Sequence, residues 1–186
     1  MAPLDVSSID LGDMYSLEGN TIIPIINEDP MYWIPEEPMR VIWNPKGFDD
    51  PEANRVTVGF EPTQEAENFI KGLNQVLIKR LEQYSLTYFG KSLTKDEIKL
   101  LYLSPIRISI KGHFSLRAKF THTGRNQLQY WDRENKVTKP PSTPWVNCLV
   151  QPRFLIPRLW MMGKQVGIVL ELTDVKFIEE ELECPF

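Results

Sequence analysis

The chain has 186 residues, 42% of them hydrophobic and 25% charged, with two cysteines and two histidines. These are values of a folded domain rather than a disordered chain, and 186 residues suffice for one domain, with or without an extension. No apolar run is long enough to cross a bilayer. The N-terminal stretch MAPLDVSSIDLGDMY lacks the basic and apolar regions of a secretion signal. Cys148 and Cys184 are too few for a disulfide framework, so an intracellular protein with reduced thiols is expected.

The net charge of −4 conceals a segregation. Residues 1–69 carry 14 acids and 3 bases; residues 70–177 carry 18 bases and 7 acids; residues 178–186 carry 4 acids and no base. A basic middle between acidic ends bears on partners rather than on fold.

Residues 1–38 are acidic and proline-containing, and read as an extended N-terminal arm with one edge strand. MRVIWNP (39–45) and NRVTVGF (54–60) read as two strands joined by turn residues. Residues 64–89 predict one long helix. Thr63 opens it, Glu65 and Glu67 occupy its first turn, and Phe69, Leu73, Val76, Leu77, Leu81, Tyr84 and Tyr88 follow a helical period until Gly90. Thr94-Lys95-Asp96-Glu97 is a capping box that predicts a short second helix through about Leu103.

The remainder reads as β. PIRISIKG (105–112) places Ile106, Ile108 and Ile110 on one face and Arg107, Ser109 and Lys111 on the other. FSLRAKFT (114–121) places Phe114, Leu116, Ala118 and Phe120 opposite Ser115, Arg117, Lys119 and Thr121. NQLQYW (126–131) is a further strand with DRENK as its turn, and residues 145–178 give two more strands around a loop. The apolar phase slips by one between Leu172 and Val175, which predicts a bulge of the kind that closes small barrels. The expected fold is therefore mostly β: an OB-like small barrel over residues 39–178 with an inserted helix, an N-terminal arm and an acidic tail at 179–186. An eight-stranded jelly-roll sandwich is the competing architecture.

His113 and His122 stand in no metal-binding spacing with each other or with the cysteines, and no phosphate-loop, dinucleotide or nucleophile-elbow motif occurs. The expectation is a binding protein, not an enzyme, with no cofactor and no metal. Arg107, Lys111, Arg117 and Lys119 would share one β-face without an acid, where they repel one another unless a polyanion neutralises them. Basic residues on exposed strands also serve simply to block edge aggregation. Aromatic rings interleave with further cations: Tyr130, Trp131 and Arg133, then Trp145, Arg153, Phe154, Arg158, Trp160 and Lys164 before the last strand. Trp145 and Phe154 are expected in the core, and Trp160 as a stacking ring. Cations that track phosphates and rings that stack on bases are the means by which single strands are held.

The order NRVTVGF, long helix, PIRISIKGHFSLRAKF, LQYWDREN, then Pro157, Leu159, Trp160, Gly167, Leu170, Leu172, Val175 and Phe177 over the last strands, followed by the acidic end, resembles the OB-fold single-stranded-DNA-binding proteins of tailed phages and large DNA viruses. The resemblance covers residues 39–186. It implies coating of single-stranded DNA without sequence preference in replication, recombination or repair. It further implies an acidic, aromatic-tipped tail, here Glu179, Glu180, Glu181, Glu183 and Phe186, that competes for the groove or engages replication proteins; a tail too short to reach its own groove would reach that of a second subunit in a homodimer. The alternatives are a non-enzymatic viral structural or interaction protein built as a β-sandwich, and an RNA-binding module, since stacking and phosphate contacts serve DNA and RNA alike.

Overall fold

The strand formers of this chain pair into one extensive mixed sheet that closes on itself. The computed structural model describes residues 5–47, 50 and 52–179. In chain order the strands are β1 (Asp10–Leu11), β2 (Tyr15–Leu17), β3 (Asn20–Ile26), β4 (Tyr32–Trp33), β5 (Met39–Lys46) and β6 (Arg55–Glu61), followed by helices α1 (Gln64–Gln83), α2 (Ser85–Phe89) and α3 (Lys95–Leu101). Then come β7 (Tyr102–Leu103), β8 (Ile106–Ile108), β9 (Phe114–Thr121), β10 (Gln129–Trp131), β11 (Val137–Thr138), β12 (Leu149–Met162) and β13 (Gln165–Glu179).

Five strands form a closed circuit. β5 pairs with β6, β6 with β9, β9 with β13, β13 with β12, and β12 returns to β5. All of these pairings are antiparallel except β9–β13, which is parallel and consists of the single pair Lys119↔Glu171. This is the OB-like barrel with an inserted helix that the patterning implies, and closure removes the free edges an open sheet would present. Val56, Val58, Phe60, Leu116, Ala118, Phe120, Val150, Phe154, Ile168 and Leu170 fill the interior, as the period-two alternation requires.

The closing device is where the apolar phase slips. Phe154 faces Leu172 and Arg153 faces Asp174, so Thr173 is one residue extra on β13. Such an insertion bends a strand and increases its twist. β12 is long enough to serve three partners in turn on its other edge: β5 at Leu149 and Val150, β4 at Phe154 and Leu155, and β3 from Arg158 to Met161.

The segment expected as an arm is woven into the body. Ile9, Leu11, Ile22, Ile23, Met31 and Trp33 are buried, and the Trp33 indole stacks between Phe69 of α1 at 4.3 Å and Phe154 at 5.2 Å. Short apolar pieces separated by prolines signalled edge strands but not the partners they would find. Helix α1 starts where Thr63 accepts a hydrogen bond from the Ala66 N–H, and it buries Ile70, Leu73, Leu77 and Leu81 against the barrel. Tyr84 interrupts it, and α2 ends at Gly90, which adopts the left-handed φ of 69° that favours glycine. The capping box of Thr94 and Glu97 is formed.

Two boundaries differ from the patterning. β8 stops at Ile108, and residues 109–113 form a tight turn in which Ser109 and His113 close on each other. Ile110 is fully exposed and Lys111 leaves the sheet face for the turn. The final two strands meet in the turn at Gly163 and Lys164, so Arg153, Phe154, Arg158 and Trp160 lie on β12 rather than in a loop.

Candidate nucleic-acid interface

Because Val58 and Phe60, Leu116 and Ala118, and Ile168 and Leu170 point inward, the residues between them point out. The outward row is continuous across the barrel: Arg55, Thr57 and Gly59 on β6, Arg117 and Lys119 on β9, and Gly167, Val169 and Glu171 on β13. β12 adds Arg158 opposite Val169 and Trp160 opposite Gly167. The β9–β13 seam is joined by one residue pair only, and it opens as a groove lined by Thr57, Arg107, Arg117, Lys119, Trp160 and Val169, among others. β8 brings Arg107 to its rim.

Two indoles lie flat on this face. Trp43 is paired across strands with Gly59, and a Cβ on Gly59 would stand 2.3 Å from its ring. Trp160 is paired with Gly167, where a Cβ would stand 2.5 Å from its ring. In both cases glycine provides the space for an aromatic ring to lie against the backbone. The Arg117 guanidinium lies 5.5 Å from the Trp43 ring centroid, within cation–π range. The Trp43 Nε1–H is buried without a hydrogen-bond partner among the described residues.

The cations of the groove are under-compensated. Among the described residues, Arg107, Lys111, Arg117 and Lys119 take part in none of the ion pairs. Partial burial and repulsion from Arg117 hold the Arg107 pKa below the ordinary guanidinium value. Burial of the Lys119 ammonium and repulsion from Arg55 lower its pKa too, against the opposing pull of Glu171. Both shifts mean that the charged form is disfavoured where it stands, and a polyanion would relieve this.

The remaining candidates divide. Arg158 lines the same face, but its Nη2 lies 2.5 Å from Glu171 Oε1. Tyr130 does not reach the surface; it is 8% exposed, meets Trp145 edge to face at 5.8 Å, and burial pushes its hydroxyl up to about 12. Trp131 donates its indole N–H to Asp174 at 3.0 Å. Arg153 pairs with the same Asp174 at 3.4 Å and lies 3.9 Å from the Tyr32 ring centroid. These two are tied into the wall of the barrel. Arg133 and Lys164 are exposed in turns, and Lys111 is exposed at the β8–β9 tip. Trp145 and Phe154 are core residues, as expected. The carboxylates of Glu180, Glu181 and Glu183, the Phe186 ring and the side chain of Glu179 lie outside the described residues.

Sequence reading missed Trp43, Arg55 and Glu171. The signal for Trp43 was present: a glycine inside the strand pattern NRVTVGF marks a close approach. The same signal in KQVGIV points to Trp160.

No protein-family model and no curated protein matches the chain. Among solved structures, the chain is similar to gp2.5, a single-stranded DNA-binding protein encoded by bacteriophage T7, with a TM-score of 0.55 and 12% identity over 82% of this chain and 93% of that one. It is also similar to the single-stranded DNA-binding protein from bacteriophage Enc34 in complex with ssDNA, with a TM-score of 0.49 and 9% identity over 92% and 97% of the two chains. At 12% identity the T7 likeness establishes a shared fold.

Proposed function

We propose that this chain binds single-stranded DNA without sequence preference, through the outward face of β6, β9, β13 and β12. The observation that carries this reading is the groove itself: three cations without ion pairs among the described residues, Arg107, Arg117 and Lys119, beside two indoles laid flat on Gly59 and Gly167. Cations are spaced to track phosphates, and flat rings accept any base, because every base has a π-face. The fold shared with a phage single-stranded DNA-binding protein supports the same direction. The closed five-strand circuit speaks against the sandwich alternative. Such binding would serve replication, recombination or repair, in a non-enzymatic role inside the cell. The acidic residues 179–186 would compete for the groove or recruit replication proteins.

Tryptophan fluorescence titrations with oligo-dT, oligo-rU and duplex DNA at two salt concentrations test the reading. Salt-sensitive quenching by oligo-dT, with weak response to duplex, is expected. Equal affinity for duplex, or no binding at low salt, would reject it. Oligo-rU binding as tight as oligo-dT would widen the ligand class to RNA. Removal of residues 179–186 should tighten binding at low salt; unchanged affinity would remove the tail from the scheme.

A further inference from the structure

On the outward face Glu171 stands in the midst of the cations, with its carboxylate bonded to two guanidiniums. Glu171 Oε1 accepts from Arg55 Nη2 at 3.1 Å and from Arg158 Nη2 at 2.5 Å. Its residue is the direct cross-strand partner of Lys119, which flanks the groove. Two strands thus deliver guanidiniums to one anion, Arg55 from β6 and Arg158 from β12, and β9 sets Lys119 beside it without an ion pair. The Tyr15 side chain also reaches Arg158 from the N-terminal segment.

Two properties distinguish this arrangement from an ordinary structural ion pair. Both guanidiniums converge on the same oxygen, and Oε2 has no donor among the described residues. One carboxylate therefore serves two guanidiniums and a neighbouring ammonium, leaving the cluster with an excess of two positive charges. The partners also differ in exposure: the Glu171 side chain is 16% exposed, whereas the Arg55 side chain is 41% exposed and borders solvent. A phosphodiester carries the same single charge as the carboxylate, but it can offer a guanidinium both of its terminal oxygens, whereas Arg55 shares one oxygen of Glu171 with Arg158.

Resting on the single-strand-binding reading above, we propose that Glu171 is a built-in counter-ion of the groove, from which Arg55 transfers to a backbone phosphate when single-stranded DNA binds. In the free protein it lessens the repulsion of the cationic face; in the complex it competes with the ligand and so limits affinity. Arg55 and Arg158 then belong to the interface, although both are paired in its absence.

The test uses the full chain and oligo-dT, with affinity measured across a salt series. Wild type, Glu171→Gln and Arg55→Gln are compared, with thermal melting as a control for folding. Glu171→Gln keeps the shape of the side chain and removes its charge. It should bind about fivefold more tightly at low salt, and its salt slope should steepen by about 0.7 as Arg158, which Glu171 holds in the wild type, is engaged by phosphate beside Arg55. Arg55→Gln should bind more weakly, with a slope shallower by about 0.7. A purely structural clamp would lower the melting temperature of both variants and leave both slopes unmoved, and that result overturns the inference. If Glu171→Gln does not fold, Glu171→Asp takes its place: the shorter side chain draws the carboxylate back from Arg55 and should also tighten binding, and unchanged affinity overturns the inference. Wild-type chain that fails to bind oligo-dT overturns the functional reading and this inference together. Wild-type binding with unmoved slopes in the variants overturns the inference only.

Discussion

Two regions of this barrel both set cations beside aromatic rings, but they balance the charge differently. Around the β9–β13 seam, Arg107, Arg117 and Lys119 sit beside Trp43 and Trp160, and the acid within reach, Glu171, is shared between Arg55 and Arg158. Near the β12–β13 bulge, Arg153 sits beside Tyr32 and Trp131, and here Asp174 satisfies the guanidinium, the indole N–H and the Thr173 hydroxyl together. One carboxylate in the right place converts a cation–aromatic cluster from an open surface into a wall. The lesson concerns what makes such a cluster available. Cations and rings are needed in both, but only the region whose hydrogen-bonding and charge demands are unmet is left for a ligand.

The comparison can be broken or sharpened experimentally. The largest expected effect is at Trp160. Trp160→Ala removes a stacking surface worth roughly 1–3 kcal/mol, so affinity for oligo-dT should fall by about fivefold or more. Tyr130→Phe, by contrast, should leave affinity unchanged, because that ring faces Trp145 and not the groove. Next comes Gly167→Ala. Its Cβ would stand 2.5 Å from the Trp160 ring, so the indole must lift or the strands must part. A loss of about 1–3 kcal/mol of stability is expected, with weaker quenching on binding.

Asp174→Ala should act on the other region alone. It strands the Trp131 indole and the Arg153 guanidinium, at a cost of about 2 kcal/mol in a denaturation experiment, discounted because Arg153 remains partly solvated. Oligo-dT affinity should change by less than about twofold. A large loss of affinity in Asp174→Ala would show that the two regions are one interface. The smallest effects distinguish face from turn. Lys119→Gln should make the salt slope shallower by about 0.7, whereas Arg133→Gln, in the exposed turn after β10, should leave it unchanged.

Much of this was legible in local pattern. Strict alternation in FSLRAKFT placed Arg117 and Lys119 outside and Leu116, Ala118 and Phe120 inside. The phase slip after Leu172 located the bulge. Thr94 and Glu97 located a helix start, although α1 breaks at Tyr84 where the periodicity ran on to residue 89. What misled was alternation continued past its end. Lys111 fits the polar phase of residues 105–112 but stands in a turn closed between Ser109 and His113, because no partner strand extends that far. Likewise, residues 10–33 show only short apolar pieces, and their burial depends on β12 and α1 supplying partners from distant parts of the chain.

The sequence alone determined which side chains face in and which face out along each strand, because a pleated strand alternates by geometry and needs no distant information. It also determined the excess of positive charge in the middle of the chain. Tertiary structure alone decided which cations keep that charge unspent. Ion pairing depends on which residues lie near one another across strands far apart in sequence, as Arg55 meets Glu171 and Arg153 meets Asp174. Electrostatic attraction acts over a few ångströms of space, and closing the barrel sets those distances.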